Sequence, residues 1–402
     1  MTLLWAPGVA DRSREIYGVL RVLVTNGHLN VGGVEQSLIS LLHSIDYSIY
    51  SVDLLLFEGL GDYIEFVPEE VKIINWDLTG TYGSIRQVAG RAIEQRNLKL
   101  FLIKLILTCG SKLSLRFLSL LKKFRVTKGK YDYAIAYRVG MPAAYVAYAV
   151  DSDEKYVWWH HGEFDYDINT VRRWSEEFSK MDHIVCVSEY SRELIKKHFP
   201  HQENKLMVVP NMINSEEIHT NANEFNPYKN EKAAKILVSV GRLSREKHMI
   251  DCVFVANGLK NDGIDFQWYL IGDGDERAEI EKTVIELDLR NQIILIGSKK
   301  NPYPYIKNAD LFVHPSYVES QGIAVLEAMA LGVPCVVVKS NGTDEFVVDG
   351  VNAIQAEQSV DSLYEKVKYA IEHELDFSEA EKKVIERYRP KNIVSKIFIN
   401  QE

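Results

Sequence analysis

Two glutamates stand eight positions apart in residues 315–337, which read PSYVESQGIAVLEAMALGVPCVV. The apolar run Leu311–His314 before them predicts a strand. Glu319 then lies in the loop at the strand's carboxyl end, where ligands bind in open α/β sheets. Glu327 falls about one turn into the next helix and faces the same cleft. Two such carboxylates can accept hydrogen bonds from sugar hydroxyl groups. The alternative is a pair of surface helix charges.

Groups that could bind an anion accompany these glutamates. Gly322 allows close backbone approach, and its neighbours expose N–H groups at the start of the helix. In residues 239–248, SVGRLSREKH, Arg242 follows a strand-ending glycine and Lys247 stands near the next helix start. Two cations and a helix N-terminus can bind one diphosphate, and stabilising the charge of a leaving diphosphate lowers the barrier to its departure. A loop arginine and lysine taken alone are ordinarily just solvated.

The N-terminal half offers two weaker signals. Gly32 and Gly33 in NGHLNVGGVE precede a predicted helix, so backbone N–H groups could approach a phosphate, although an ordinary tight turn explains them equally well. His160 and His161 end the predicted strand in YVWWHHGEFDYD. Because side chains alternate along a strand, one histidine points into a cleft and the other into the packing, and which is which stays open.

Gly272, in IGDGDER, makes a turn beside a presumed base pocket, and Gly297 ends the run ILIGS. Pairs of aspartates raise the question of a metal, but none has a third ligand at recognisable spacing. We therefore interpret them as turns and expect no metal. The pairs are Asp151/Asp153, Asp165/Asp167 and Asp273/Asp275.

The order of elements predicts an α/β chain with parallel sheets. A length of 402 residues favours two domains. Val19–Thr25 and Lys235–Val240 each begin a strand, glycine turn and helix, as a nucleotide-binding domain does. The polar residues Asn221–Lys232 predict a linker, and Val384–Gln401 predict a closing helix. Further strands are predicted at Val52–Phe57, Lys72–Ile74, Tyr133–Tyr137, Tyr156–Trp159, His183–Val187, Gln267–Ile271, Ile293–Ile296 and Cys335–Val338.

Charge is distributed unevenly. Residues 1–210 hold 25 basic and 25 acidic side chains, so the remainder carries the whole net charge of −9. Lys99–Lys130 contain nine basic residues, no acid and many apolar residues. This basic amphipathic pattern suits an anionic membrane surface or a phosphate-bearing acceptor, and a solvated helix face explains it equally well. Nucleic acid is disfavoured as a partner, because acidic residues elsewhere in this half balance the patch.

The four cysteines are far apart and without nearby histidines at metal-ligand spacing, which favours a reducing cytoplasm over a disulfide framework. Residues 1–18 make a poor export signal, and no apolar run approaches the length of a membrane span. We expect a cytoplasmic protein that could also sit on the inner face of the cell membrane.

Together these strings resemble the family 4 retaining glycosyltransferases of the GT-B fold. The resemblance covers nearly the whole chain and is densest over residues 241–350, with GRLSREK, ESQGIAVLE and EAMALGVP specific in combination. GGVE, VSEYSRE, VVPN and DEFVVDG fall in the expected order. The resemblance implies two Rossmann-like doubly wound domains facing across a cleft. These would be an acceptor-binding domain at 1–215, a nucleotide-sugar-binding domain at 233–383 and a final helix at 384–402 crossing back to the first domain.

The resemblance also implies roles for residues. Arg242 and Lys247 would bind the donor diphosphate, while Glu319 would contact the transferred sugar and Glu327 the ribose. His161, with His160 as the fallback, would be the strand-end histidine. The catalytic set would then be His161, Arg242, Lys247 and Glu319. The donor would also contact Gly32, Gly33, Gly272, Gly297, Ser320, Gln321, Gly322, Ile323 and Glu327.

Four positions depart from the family pattern. Gln321 stands where an aromatic residue is common, and His248, Met212 and Ala353 stand where glycine is usual. These differences put the donor sugar in doubt rather than the class of enzyme.

The expected function is retaining transfer of a sugar from a UDP- or GDP-sugar to a glycan or lipid-linked acceptor, in bacterial surface polysaccharide synthesis, with neither metal nor other cofactor. The alternatives are a sugar-nucleotide epimerase of the same fold and a degenerate, non-catalytic partner subunit. The two glutamates eight positions apart argue against the epimerase. Arg242, Lys247, Glu319 and Glu327 together argue against the degenerate subunit. A dehydrogenase is disfavoured, because no GxGxxG with a following ribose-binding acid is present.

Overall fold

Apolar and β-branched runs form two parallel sheets in the computed structural model, which describes residues 18–112, 115–124, 126–229 and 235–397. By their contacts these residues divide into two units. The first comprises residues up to Trp159 together with Asp165–Cys186 and Ile195–Met207. The second comprises His160–Phe164, Val187–Leu194 and the chain from Val208 onward. Residues 1–17, which hold nearly all of the stretch judged a poor export signal, lie outside the described residues.

The first unit is built on a seven-stranded sheet of order β3-β2-β1-β4-β5-β6-β7. The strand β1 is apolar and wholly buried at Val22–Val24, which is typical of a parallel strand covered on both faces. The strands are β1 (Leu20–Asn26), β2 (Tyr50–Leu56), β3 (Lys72–Asn75), β4 (Tyr131–Ala136), β5 (Ser152–Trp159), β6 (His183–Cys186) and β7 (Leu206–Val208). The helices are α1 (Gly33–His43), α2 (Ile85–Glu94), α3 (Leu98–Lys112), α4 (Met141–Ala149), α5 (Ile168–Phe178) and α6 (Glu189–His198). The first residues of α6, up to Leu194, belong to the second unit. A 3₁₀ segment covers Leu115–Phe124.

The second unit is built on a six-stranded sheet of order β10-β9-β8-β11-β12-β13, in which every neighbouring pair is parallel. The strands are β8 (Lys235–Val240), β9 (Phe266–Ile271), β10 (Ile293–Gly297), β11 (Leu311–His314), β12 (Cys335–Val338) and β13 (Ile354–Ala356). The helices are α7 (Ser215–Ala222), α8 (Met249–Asn261), α9 (Arg277–Glu286), α10 (Tyr303–Lys307), α11 (Ile323–Ala330), α12 (Val360–Glu372), α13 (Ser378–Arg387) and α14 (Pro390–Val394).

Both faces of the second sheet are covered by helices. Along β8, Leu237 packs on one face with Val253 of α8, and Val238 packs on the other with Leu326 of α11. This alternation follows from the two-residue period of a strand. Each face holds its own apolar cluster, and the two clusters fix α8 and α11 at the strand ends that carry the predicted site residues.

The predicted strands are confirmed, with ends that shift by a few residues. Three other details differ. The short strands β7 and β13 were not predicted. The predicted closing helix is interrupted near Arg389, where Pro390 begins a new helix, because proline cannot continue the hydrogen bonding of the preceding turn.

The segment predicted as a linker, Asn221–Lys232, contributes a side chain to the core of the second unit. Tyr228 is buried and packs its ring 4.7 Å from that of Tyr269, because a large aromatic side chain gains more by burial than its polar neighbours lose. Residues 230–234 lie outside the described residues. Ile213, predicted in the first domain, also packs in the core of the second unit, as do Val384 and Ile385 of α13. Crossing of the last helix to the first domain stays a prediction, and residues 398–402 lie outside the described residues.

Candidate functional site

The strands β8 and β11 are neighbours in the second sheet, although the chain places β9 and β10 between them. From β8 the order runs outward through β9 on one side, and from β11 through β12 on the other. The pair is therefore the topological switch point, where loops diverge and leave a crevice at the carboxyl ends of the strands. Residues 241–248 follow β8 and residues 315–322 follow β11, so both predicted motifs lie at this crevice.

Lys247 and Glu319 are brought together by these two loops. The Lys247 Nζ atom donates to Glu319 Oε1 over 2.6 Å. The Nε2 atom of His314, the last residue of β11, lies 2.8 Å from the same oxygen. Glu319 is 8% exposed and His314 3% exposed, so the cluster is largely shielded from solvent. A buried carboxylate with two charge-assisted partners is held in one position.

Electrostatics keep Glu319 ionised. Burial alone would raise the pKa of its carboxyl group. The positive charge of Lys247 and the hydrogen bond from His314 outweigh this effect and hold the pKa well below its ordinary value. Glu319 is thus a fixed negative charge over the physiological pH range.

Glu327 lies in a different environment. It is the fifth residue of α11 and is 7% exposed. The hydroxyl group of Tyr303, in α10, donates a hydrogen bond to Glu327 Oε1 over 2.8 Å. Burial raises the pKa of Glu327 to about 7, and the hydrogen bond from Tyr303 only partly offsets it. The two glutamates of the motif therefore differ in charge near neutral pH. Glu327 can exchange its proton there, whereas Glu319 cannot.

The turn between the two glutamates depends on glycine. Gly322 is the N-cap of α11 with φ +86°, in the left-handed region, and a Cβ atom there would lie 2.6 Å from Thr343 Cγ2. The backbone N–H groups of Ser320 and Ile323 flank this turn at the start of α11. A helix N-terminus of this kind favours an anion.

Gln321 is predicted to contact the sugar donor, and in this structure its side-chain amide forms hydrogen bonds with Asn211. Its side-chain oxygen accepts hydrogen bonds from the Asn211 backbone N–H and Nδ2, both over 2.8 Å. Its Nε2 donates to the Asn211 carbonyl over 3.2 Å. The amide thus fastens the VVPN segment to the loop before α11, which an aromatic side chain at this position could not do.

Arg242 and Lys247 are positioned unequally. The Arg242 side chain is 70% exposed and its Nη1 lies 3.7 Å from Glu246 Oε1. Only glycine fits at position 272, because a Cβ atom there would lie 1.8 Å from the carbonyl oxygen of Gly241. Gly272 and Gly297 are joined by a backbone hydrogen bond of 3.1 Å at the same edge of the sheet. The three glycines let the strand ends pack closely beside Arg242.

The segment that carries the two histidines also lies in the second unit. His160 and His161 follow β5 and are both half-buried, and which of them faces a cleft stays open. Gly162 packs on the backbone of the glutamate loop, where a Cβ atom would lie 2.7 Å from the Glu319 carbonyl carbon. The strand-end histidines therefore lie close along the chain to a residue that contacts the cluster.

Gly32 and Gly33 lie in the first unit, where Gly32 caps α1. The buried carboxylate of Glu35 lies over Gly32 and pairs with Arg138 Nη1 over 2.9 Å. Gly33 itself is exposed. The helix start thus has a carboxylate beside it, and Arg138 supplies the compensating positive charge.

Two residues of the site were not predicted. His314 is the last residue of a predicted strand, and this position could have indicated that it belongs to the site. Tyr303 is 24 residues from Glu327 in sequence, and nothing local connects them. In the described ranges, no group of three or more His, Cys, Asp or Glu side chains is placed to hold a metal ion.

Comparison with known families covers both halves. The family model "Glycosyltransferase Family 4" matches residues 31–217, and the model "Glycosyl transferases group 1" matches residues 220–390. The chain belongs to glycosyltransferase family 4. Two Rossmann-like parallel sheets are the GT-B architecture of that family, as expected.

Curated relatives resemble parts of the chain. N-acetyl-alpha-D-glucosaminyl L-malate synthase of Bacillus anthracis is 27% identical over 169 residues, which are 41% of this chain and 44% of that protein. The UDP-Gal:alpha-D-GlcNAc-diphosphoundecaprenol alpha-1,3-galactosyltransferase of Escherichia coli is 24% identical over 44% of this chain and 48% of its own. The matched stretches span half or less of the length of these curated family 4 relatives.

Solved structures resemble the family 4 chain over nearly its whole length. Anabaena HepE in complex with UDP and glucose has a TM-score of 0.70 at 16% identity, covering 94% of this chain and 98% of that one. The lipopolysaccharide outer core galactosyltransferase WaaB has a TM-score of 0.62 at 17% identity, covering 95% and 100%. At these identities the likeness establishes the fold.

The contrast between the two glutamates gives a stability prediction. Glu327→Gln will stabilise the folded protein at pH 8 by about 1–3 kcal/mol, because a buried carboxylate with a raised pKa is ionised there at a cost. The gain will shrink as the pH falls below 7, where Glu327 becomes protonated in the folded state, and it will be lost only once the pH is below the ordinary carboxyl pKa. Urea unfolding at pH 5.5 and pH 8 measures it.

Glu319→Gln is the matched control. The pKa of Glu319 is lowered in the folded state, so this carboxylate stabilises the fold at every pH above the ordinary carboxyl pKa. Its contribution to stability is therefore present at both pH 5.5 and pH 8. The substitution will destabilise the protein at both pH values, by roughly 3–5 kcal/mol, since it breaks a buried ion pair. Equal effects of the two substitutions at pH 8 would contradict the assignment of charges.

Proposed function

We propose that this chain is a retaining, metal-independent glycosyltransferase that moves a sugar from a UDP- or GDP-sugar to a glycan or lipid-linked acceptor. The observation that carries the proposal is the Lys247–Glu319 pair at the switch point of the second sheet, beside the N-terminus of α11. Cations and backbone N–H groups can bind a diphosphate, and fixed carboxylates can accept hydrogen bonds from sugar hydroxyls. Both sets of groups meet at this one edge.

The chemistry assigned to the site is displacement at the anomeric carbon. The bond between that carbon and the donor's phosphate oxygen breaks, and a bond to the acceptor oxygen forms on the same face. The acceptor's proton passes to a phosphate oxygen of the departing nucleotide. Arg242, Lys247 and the N–H groups at the start of α11 stabilise the charge that develops on that diphosphate. They do in this way what a divalent metal would otherwise do.

The two carboxylates take different parts. Glu319, ionised and held by two partners, accepts hydrogen bonds from hydroxyls of the transferred sugar. Glu327 accepts them from the ribose, and its raised pKa makes nucleotide binding depend on pH near 7. His161, or His160, hydrogen-bonds the sugar from the strand-end segment. UDP is the nucleotide named for the E. coli relative and for the HepE complex, and it is the first donor to test.

The acceptor is proposed to be lipid-linked and reached at an anionic membrane surface, in the synthesis of a bacterial surface polysaccharide. The helix α3 carries this part of the proposal. Among its side chains described from Leu98 to Cys109, Leu100 and Ile103 are buried, whereas the other apolar ones are partly or largely exposed. Leu98 is 68% exposed and Leu102 39% exposed. An apolar helix that stays this open is unusual unless a surface covers it.

The charge of this region points to an anionic surface. Lys99 of α3 and Lys123 of the 3₁₀ segment are exposed. Phe117 and Leu120 of the 3₁₀ segment are exposed as well. Other cations of the segment are engaged, since Lys122 pairs with Asp151 over 3.2 Å. Arg125 lies outside the described residues. No described helix is long and apolar enough to cross a membrane, so the proposal is contact with one leaflet surface.

The diphosphate assignment predicts a large loss of turnover. Lys247→Ala and Arg242→Ala will each reduce transfer from the UDP-sugar by ~10²-fold or more, the scale of removing one preorganised charge stabiliser. Product formation without added metal measures it. Arg242 is largely exposed, so its substitution tests the site without loss of packing. Lys282→Ala, an exposed lysine of α9, is the control, and near-normal turnover in both site variants would refute the assignment.

Nucleotide binding can be tested without an acceptor. A nucleotide that binds the folded state raises its melting temperature by mass action. We expect one of UDP, GDP or ADP, or one of their sugars, to raise it, and Glu327→Ala to abolish the shift. The same shift should weaken below pH 7 in the wild type. A protein that no nucleotide stabilises would instead be a non-catalytic relative.

The membrane assignment predicts charge-dependent binding. Replacing Lys99, Lys104 and Lys123 with Gln will weaken binding to phosphatidylglycerol-containing vesicles by ~10²-fold, since each lysine near an anionic surface contributes about 1 kcal/mol. Binding to phosphatidylcholine vesicles will be weak for every variant. The matched control replaces Lys382, Lys383 and Lys391 in the second unit, with the same loss of charge. If both triple variants bind anionic vesicles as the wild type does, the surface proposal fails.

A further inference from the structure

His248, which stands where glycine is usual in the family, has an unusual backbone conformation. Its φ of +48° lies in the left-handed region, where glycine is free of strain and other residues are uncommon. It ends the 3₁₀ turn Arg245–Lys247 and starts α8. This conformation explains why glycine is usual there, and the histidine adds a side chain that glycine lacks.

The gain is a ring contact across the crevice edge. The imidazole of His248 stacks on the phenol ring of Tyr317, with centroids 3.5 Å apart and an angle of 8° between the planes. Asp251 also lies beside the imidazole, with its Oδ2 3.4 Å from His248 Nδ1. The Asp251 carboxylate also acts on Tyr317, where burial first and this charge second raise the pKa of the hydroxyl to about 12.

The two stacked residues belong to the two loops that carry the charge pair. His248 directly follows Lys247, and Tyr317 is two residues before Glu319. A further tie joins the same loops, since the Ser316 hydroxyl donates to the Glu246 carbonyl over 3.3 Å. The stack therefore fixes the distance between the loops at one end of the Lys247–Glu319 contact.

We propose that the His248–Tyr317 stack is a positioning device that sets the place of the Lys247 ammonium group relative to the Glu319 carboxylate. This inference rests on the proposed function of that pair in stabilising a departing nucleotide diphosphate. Neither His248 nor Tyr317 touches the reacting atoms in this role. They act through Lys247, whose charge must lie within a fraction of an ångström of its working position. Strain kept at one backbone position beside a charged site is consistent with a positioning role.

The experiment separates the ring from the backbone. Asparagine tolerates the left-handed region well but has no ring, so His248→Asn removes the stack while leaving the turn intact. Tyr317→Leu removes the partner ring, and Tyr317→Phe keeps it. We expect His248→Asn and Tyr317→Leu to lower kcat for sugar transfer about 10-fold with little change in KM, because a displaced lysine loses transition-state stabilisation above all. Tyr317→Phe should retain most of the wild-type kcat.

The melting temperature distinguishes a positioning role from a merely structural one, because loss of a structural contact would lower it. His248→Gly relieves the backbone strain, so its melting temperature should equal or exceed that of the wild type while its kcat falls like that of His248→Asn. If kcat of His248→Asn and His248→Gly equals the wild-type value, the inference is overturned. A kcat loss that only follows a lower melting temperature would overturn it too.

A crystal structure of His248→Asn tests the inference without activity. Lys247 Nζ is expected to leave its position 2.6 Å from Glu319 Oε1, and an unchanged contact would refute the positioning role. A wild-type protein that transfers no sugar from any nucleotide donor would refute the proposed function. It would leave this structural outcome to decide whether the stack holds the lysine.

Discussion

The carboxylate of Glu319 is the constraint on which the second unit depends. A charge removed from water is costly unless opposite charge and hydrogen bonds replace the lost solvation. Lys247 and His314 provide both within 2.8 Å of one carboxylate oxygen. Because these three residues come from two loops and one strand end, the pair can form only where β8 and β11 are neighbours. The charge pairing therefore depends on the strand order.

The same physics explains why the two glutamates of one motif behave differently. Both are buried, and burial alone would neutralise both. Glu319 faces a lysine and a histidine, whereas Glu327 faces a tyrosine hydroxyl, which can donate but carries no positive charge. Opposed pKa directions in two carboxyl groups of one motif are a common sign of distinct roles. A fixed charge suits the reacting sugar, and an adjustable one suits a group that binds and is released.

Local sequence was enough to predict the strands, because apolar runs that end in glycine or proline have few other structures open to them. The positions of Arg242, Lys247 and Glu319 after strand ends, and of Glu327 on the following helix, were also predictable, whereas their roles in binding stay predictions. Their partners were not, and Tyr303 shows why. It reaches Glu327 through the packing of α10 against α11, and no periodicity in the chain records that contact.

Tyr228 marks a second limit of sequence reasoning, and the side chain of Gln321 makes contacts that the sequence did not predict. Gln321 lies within the predicted site, yet its amide is used to hold Asn211. Tyr228 lies in a polar stretch that predicts a linker, yet it is buried. A single residue in a polar stretch can pack against, or form hydrogen bonds with, a residue that is distant in sequence. Such contacts become visible only when the fold brings the elements together.

The acidic balance of residues 211–402, which hold 31 acidic and 22 basic side chains, bears on how such a site could act on an anionic substrate. In the absence of a ligand Lys247 is neutralised by Glu319, so under the proposed function the lysine adds little to ground-state attraction for a diphosphate. When the glycosidic bond breaks, the departing nucleotide gains charge and competes better for the lysine. An interaction that strengthens in the transition state raises turnover without tightening the hold on substrate or product. The ion pair that stabilises the fold would thereby also make the lysine selective for the departing group.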